Sequence, residues 1–96
     1  LDQIPLLCGV LELAEQGTVT GASGRNWNSY GTEVSLPADI SAARKALLSD
    51  PQTSGGLLVA CAPEAVDAVL ECFKRHGFED ARQMGTMLEG SGIQVC

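Results

Sequence analysis

The sequence predicts an α+β fold, an α/β sandwich in which helices pack on a mixed β-sheet. Three observations predict it. Apolar residues recur at helical spacing in three separate stretches. Between two of them Leu57-Leu58-Val59-Ala60-Cys61-Ala62 runs apolar without alternation, the pattern of a strand buried on both faces. The end of the chain reads as strand, turn, strand around Gly90-Ser91-Gly92. Helices and strands therefore interleave, which is the signature of layered α-and-β architectures.

The first helix is expected over Pro5 to Gln16. Leu6, Leu7, Val10, Leu13 and Ala14 form its apolar stripe, and Gly17 follows as a left-handed stop. From Thr18 to Leu36 the periodicity breaks, with Gly17, Gly21, Gly24 and Gly31 in or beside the segment. Only a short helical turn around Arg25–Tyr30 is expected there. A long stretch without regular structure inside a small domain is often functional. The second helix runs from Asp39 or Ser41, either of which can cap it, to Leu48. Asp50-Pro51 ends it, because a residue before proline is pushed out of the helical region. After the apolar run, Pro63 suits a first helical position. Val66, Val69, Leu70 and Phe73 stripe the helix Pro63 to His76, and Gly77 stops it. Ala81 to Leu88 and Ile93 to Val95 are the expected hairpin strands. Three strands leave the sheet incomplete, and an opening without Met reads as a piece of a longer protein.

The composition narrows the function. The 96 residues are 45% hydrophobic and 19% charged, and the mean hydropathy is +0.11, values of a globular chain. No run approaches the ~20 apolar residues of a membrane span. Leu1-Asp2-Gln3-Ile4-Pro5 has no basic region and does not read as a signal peptide. The net charge is −6, with no Lys/Arg cluster, so a nucleic-acid surface or an anionic membrane patch is not expected. Cys8, Cys61, Cys72 and Cys96 lack C-x2-C spacing. They read as buried thiols of a cytoplasmic protein, the alternative being two disulfides in a secreted one.

Two segments carry candidate chemistry. In Asp50-Pro51-Gln52-Thr53-Ser54-Gly55-Gly56 the glycines admit close backbone approach, two hydroxyls can donate to phosphate, and successive N–H groups can form an anion nest. The competing reading is an ordinary turn entering a strand. In Gly24-Arg25-Asn26-Trp27-Asn28-Ser29-Tyr30-Gly31, Arg25 can pair with phosphate or carboxylate, and Asn26 and Asn28 can contact a ligand or brace the loop. The competing reading is a loop packed on itself by Trp27 and Tyr30. His76 reads as a surface residue at a helix end. Glu64, Asp67 and Glu71 read as a solvated face. No metal cluster is expected.

These segments also carry a resemblance. Leu48-Ser49-Asp50-Pro51-Gln52-Thr53-Ser54-Gly55-Gly56-Leu57-Leu58 resembles the signature near the C-terminus of the selenophosphate synthetases (selenide, water dikinases). Asp2-Gln3-Ile4-Pro5-Leu6-Leu7, Leu11-Glu12-Leu13-Ala14, Gly24 to Gly31 and Ala62-Pro63-Glu64-Ala65 resemble the same family in the same order. One departure is Gly21-Ala22-Ser23, where the family usually has Gly-Gly-Thr.

The resemblance implies a partial C-terminal domain over residues 1–96, similar to that of aminoimidazole ribonucleotide synthetase-like enzymes. Such an enzyme is a cytoplasmic homodimer. It uses ATP and Mg²⁺ to turn selenide and water into selenophosphate, AMP and phosphate, for selenocysteine and selenouridine synthesis. Its catalytic Cys or selenocysteine, the partner Lys and most Mg²⁺ ligands belong to an N-terminal ATP-binding domain that this chain lacks. This chain alone is then expected to be inactive, with no catalytic residue, metal ligand or bound cofactor of its own. Its contribution would be one wall of the phosphoryl-transfer site, from Thr53, Ser54, Gly55 and Gly56 first and from Arg25 and Asn26 second. The alternatives are a stand-alone small-molecule-binding module and a dimerising interaction domain.

Overall fold

The computed structural model describes residues 2–96. They form two compact units. The larger comprises Leu6–Gly56 with Gly90–Cys96, and the smaller comprises Leu57–Glu89 with the N-terminal stretch up to Pro5.

The larger unit holds three helices and a two-stranded sheet. Helix α1, Val10–Glu15, is shorter than the periodicity predicts. Gly9 precedes it in the left-handed region, and the Val10 amide closes a turn onto the Leu7 carbonyl, so the helix starts only there. Its end is a Schellman motif: the Thr18 amide donates to the Leu13 carbonyl and the Gly17 amide to the Ala14 carbonyl. Helix α3, Ala42–Leu48, is capped by Ser41, whose hydroxyl accepts from the Arg44 amide. Helices α1 and α3 pack together, and Ala14 and Ala43, the buried apolar residues of the unit, are 6% and 9% exposed.

Helix α2, Gly21–Tyr30, is the main departure in this unit. A short turn was the expectation for these residues, and ten helical residues are found. Two glycines, two asparagines and two serines give the segment a poor intrinsic helix propensity. Local capping and tertiary bonds supply the rest. Thr20 accepts from the Ser23 amide, and side chains of α2 bond to the end of α3.

Strands β1, Val34–Ser35, and β2, Ile93–Gln94, pair in parallel, Val34 opposite Ile93. The Val95 amide extends the ladder to the Ser35 carbonyl at 2.9 Å. This replaces the expected hairpin. Ile93–Gln94 finds its partner in β1, and residues 81–88 form no strand. That stretch bonds locally instead: Arg82 Nε donates to the Asp80 carbonyl and Gln83 Nε2 to the Gly85 carbonyl, which competes with ladder formation.

In the smaller unit a 3₁₀ turn, Pro63–Ala65, leads into helix α4, Val66–Arg75. The stripe Val66, Val69, Leu70 and Phe73 is half-buried. A second Schellman motif closes α4 at Gly77, whose φ is +86°. Phe78 and Phe73 supply the accompanying apolar contact, edge-to-face at 6.1 Å. The exposed His76 donates from Nδ1 to the Cys72 carbonyl at 2.8 Å.

Two expectations fail here. Leu57 to Ala62 is not a buried strand. It forms no ladder, and Leu57 and Leu58 are 80% and 84% exposed. An apolar run states that a segment favours burial, but a strand also needs a neighbouring edge to bond. The cysteines form no disulfide, but all four are exposed rather than buried. Cys72 lies off the half-buried stripe of α4, and Cys61 lies within the exposed run. Titration of the native chain with a chromogenic thiol reagent should therefore count four thiols without denaturant. Reductant should leave the melting temperature unchanged. Thiols that react only after unfolding would contradict this structure.

The fold is thus α+β, with a parallel pair of strands as its sheet among the described residues. None of the helices is long and apolar enough to cross a membrane.

Candidate functional site

The site is built within the larger unit, where α2 meets the chain leaving α3. After Leu48 the helix stops at Ser49, and Asp50-Pro51 carries the chain out of helical geometry. A tight turn follows. The Gly55 amide donates to the Gln52 carbonyl at 3.1 Å, which places Thr53 and Ser54 at the turn's tip. A Cβ on Gly55 would stand 2.4 Å from that of Gln52, so the turn closes this tightly only with glycine. Thr53, Ser54, Gly55 and Gly56 are all exposed. The hydroxyls of Thr53 and Ser54 have no protein partner among the described residues. One donor of the expected anion nest is spent, because the Gly55 amide already has its acceptor.

Helix α2 holds this turn at its base. Ser23 is 3% exposed, and its hydroxyl donates to Asp50 Oδ1 at 3.2 Å. Gln52 Nε2 donates to the other oxygen, Oδ2, at 3.4 Å. Asn26 Nδ2 donates to the Ser49 carbonyl at 2.9 Å, which satisfies an acceptor that the end of α3 leaves open. Asn26 and the loop, both singled out by sequence, are thereby brought together. Arg25 is not brought to them. It is exposed, and its Nη1 lies 3.5 Å from where a Cβ on Gly21 would be.

Beside the turn lies a cavity of about 450 Å³. Trp27 and Tyr30 of α2 and Val34, Ile93 and Val95 of the sheet form its apolar wall. Asn26, Ser49 and Asp50 form its polar edge. Trp27 is fixed from two sides. The Lys45 ammonium lies 4.4 Å from a ring centroid, a cation–π contact, and a Cβ on Gly31 would stand 2.6 Å from the indole. Trp27 is therefore a wall of the cavity as well as packing, whereas sequence reading treated it only as packing.

Sequence reading also missed Ser23 and Asp50 as a pair. They are 27 residues apart, and the one available signal was a carboxylate immediately before the proline that ends a helix. Among the described residues no three His, Cys, Asp or Glu side chains gather as metal ligands would. Asp50, the carboxylate beside the turn, accepts one hydrogen bond on each oxygen.

Fold and site together define a class: an α+β domain that presents a hydroxyl-and-glycine turn, tethered to a helix, at the edge of a groove. The chain belongs to the family described as AIR synthase related protein, C-terminal domain, which it matches over residues 6–95. It is similar to the protein named selenide, water dikinase from Burkholderia pseudomallei (strain K96243), at 58% identity over 88 residues, 92% of this chain and 25% of that protein. The protein of the same name from Rhizobium meliloti (strain 1021) is 53% identical over 91 residues, 95% of this chain and 26% of that one. That from Dechloromonas aromatica (strain RCB) is 48% identical over 95 residues, 98% of this chain and 27% of that one. The chain spans about a quarter of the length of these curated relatives. No solved structure matches it.

Proposed function

We propose that this chain is the C-terminal part of a selenide, water dikinase, and that its 50–56 turn faces the phosphoryl-transfer site. The observation that carries the reading is the identity of 48–58% to proteins of that name over nearly the whole chain. The presentation of Thr53 and Ser54 supports it. Phosphoryl transfer depends chiefly on positioning and charge stabilisation, and exposed hydroxyl donors on a tethered turn suit that task.

In this reading the enzyme converts ATP, selenide and water to selenophosphate, AMP and phosphate, as a cytoplasmic homodimer. The chain's own work is to orient a phosphoryl oxygen through Thr53, Ser54 and the Gly56 amide. Nucleophile, Mg²⁺ ligands and most of the ATP site come from the N-terminal part, which is this chain's covalent partner. That part also completes a mixed sheet with residues 57–62, as in the C-terminal domains of aminoimidazole ribonucleotide synthetase-like enzymes. The chain alone is inactive.

The test is a chimera of the Burkholderia pseudomallei relative that carries this chain in place of its matching residues. Selenide-dependent AMP formation should be retained, and the chain alone should give none. Each hydrogen bond to a charged oxygen contributes about 1.5–3 kcal/mol. The T53A/S54A double variant removes two such bonds and should therefore lose roughly 100- to 10,000-fold in kcat/KM. An inactive chimera that is folded would overturn the dikinase reading. An active one indifferent to T53A/S54A would overturn the role of the turn.

A further inference from the structure

We infer that Ser23 and Asp50 are positioning residues, through which helix α2 sets the place of the 50–56 turn. The inference rests on the dikinase reading for its consequence in catalysis, but its geometry is independent of that reading.

A continuous series of hydrogen bonds runs from the start of α2 to the tip of the turn. Ser23 has one hydroxyl proton, and it goes to Asp50 Oδ1. Thr20 Oγ1, 3.2 Å from Ser23 Oγ, is then the donor of that pair. Asp50 Oδ2 accepts from Gln52 Nε2, and the Gln52 carbonyl accepts from the Gly55 amide that closes the turn. Asn26 grips the Ser49 carbonyl one residue upstream. Thr53 to Gly56 make no other side-chain bond among the described residues. The carboxylate of Asp50 is therefore the junction between the turn and the rest of the unit.

Burial separates this arrangement from ordinary capping. Thr20 already satisfies the Ser23 amide, so the cap of α2 does not need the Ser23 hydroxyl. That hydroxyl is almost fully buried and is directed across the fold at a carboxylate 27 residues away. A part-buried hydroxyl–carboxylate bond is directional, and so it fixes position as well as distance. Breaking it should displace Thr53 and Ser54 from a bound phosphoryl group while leaving the helices in place.

The experiment uses the same chimera with S23A, D50N, S23A/D50N and S23T. kcat and KM for ATP, the melting temperature and hydrogen exchange at the Gly55 amide are read for each. S23A and D50N should each lower kcat about tenfold, the value of one such bond. The double variant should lose little more than either single, because both interrupt one series, S23A at Oδ1 and D50N at Oδ2, where an amide nitrogen cannot accept from Gln52. S23T keeps the hydroxyl and should restore kcat. Exchange at Gly55 should quicken in S23A, D50N and the double variant, and not in S23T. If S23A fails to fold, the isosteric D50N decides. Unchanged kcat with unchanged exchange overturns the inference, as does a lowered melting temperature with kcat per folded enzyme intact. If the unsubstituted chimera is inactive, the dikinase reading fails separately and exchange decides the tether. Faster exchange at Gly55 in S23A and D50N then upholds it, and unchanged exchange overturns it.

Discussion

Replacing Gly92 with alanine is expected to release the C-terminal strand from β1. Gly92 holds φ at +89°, where an L side chain costs about 1–2 kcal/mol. A Cβ there would stand 2.8 Å from the Glu33 carbonyl oxygen, which is backbone and cannot swing aside. Overpacking of that kind adds roughly 1–3 kcal/mol. Together the two terms come to about 2–5 kcal/mol, against a ladder of two residue pairs and the Val95 bond. The strand detaches rather than bear them. Protection of the Val95 amide from exchange should fall by roughly 30- to 4000-fold, since each 1.4 kcal/mol is a factor of ten. The cavity beside Trp27 would lose Ile93 and Val95 from its wall at the same time. Unchanged exchange at Val95 in the variant would show that the parallel pairing does not depend on this glycine.

The second large effect concerns Leu57 and Leu58. Two leucines this exposed, in a run that also holds Val59, make the isolated chain prone to self-association. Sedimentation velocity should find an average mass that rises with concentration. The substitutions Leu57→Lys and Leu58→Glu keep the net charge and remove the apolar contact. A leucine buried at a contact contributes about 1.5–3 kcal/mol, so the pair should weaken association by roughly 100-fold or more. The folded chain should lose little, within about 0.5 kcal/mol, because these side chains bury almost nothing in it. The contrast is decisive. In a buried central strand the same changes would cost at least the roughly 2–5 kcal/mol of a leucine truncated to alanine. A wild-type chain that stays monomeric throughout would refute the association. A large fall in melting temperature would show that residues 57–62 are buried after all.

Both results bear on the proposed enzyme. Segments 57–62 and 84–88, which expose apolar side chains in the smaller unit, flank α4 in sequence, whereas the tethered turn and the cavity belong to the larger unit. In the proposed enzyme the first set is what the N-terminal part would cover. The Leu57/Leu58 variant in the chimera then tests covering, and the Ser23 variants test tethering.

Local chemistry was enough to locate several features in advance. Ser41 caps α3 because a hydroxyl there meets an open amide, and Asp50-Pro51 ends that helix because proline restricts the residue before it. Gly17 and Gly77 stop their helices by the Schellman geometry, and the apolar stripe of α4 follows from its 3.6-residue spacing. The turn at Gln52–Gly55 was legible for the same reason. Each depends on residues within a few positions of one another, or on a side-chain type that suits few other tasks.

What the chain could not announce was pairing at a distance. Helix α2 has poor propensity and forms because Ser23 and Asn26 find Asp50 and Ser49, more than twenty residues away. Ile93 pairs with Val34 rather than with its sequence neighbours, because a strand's apolar pattern states which face is buried and not which edge it bonds. Leu57 to Ala62 carries the same ambiguity. Its composition favours burial, but burial needs a partner, and only the tertiary arrangement decides whether one is present.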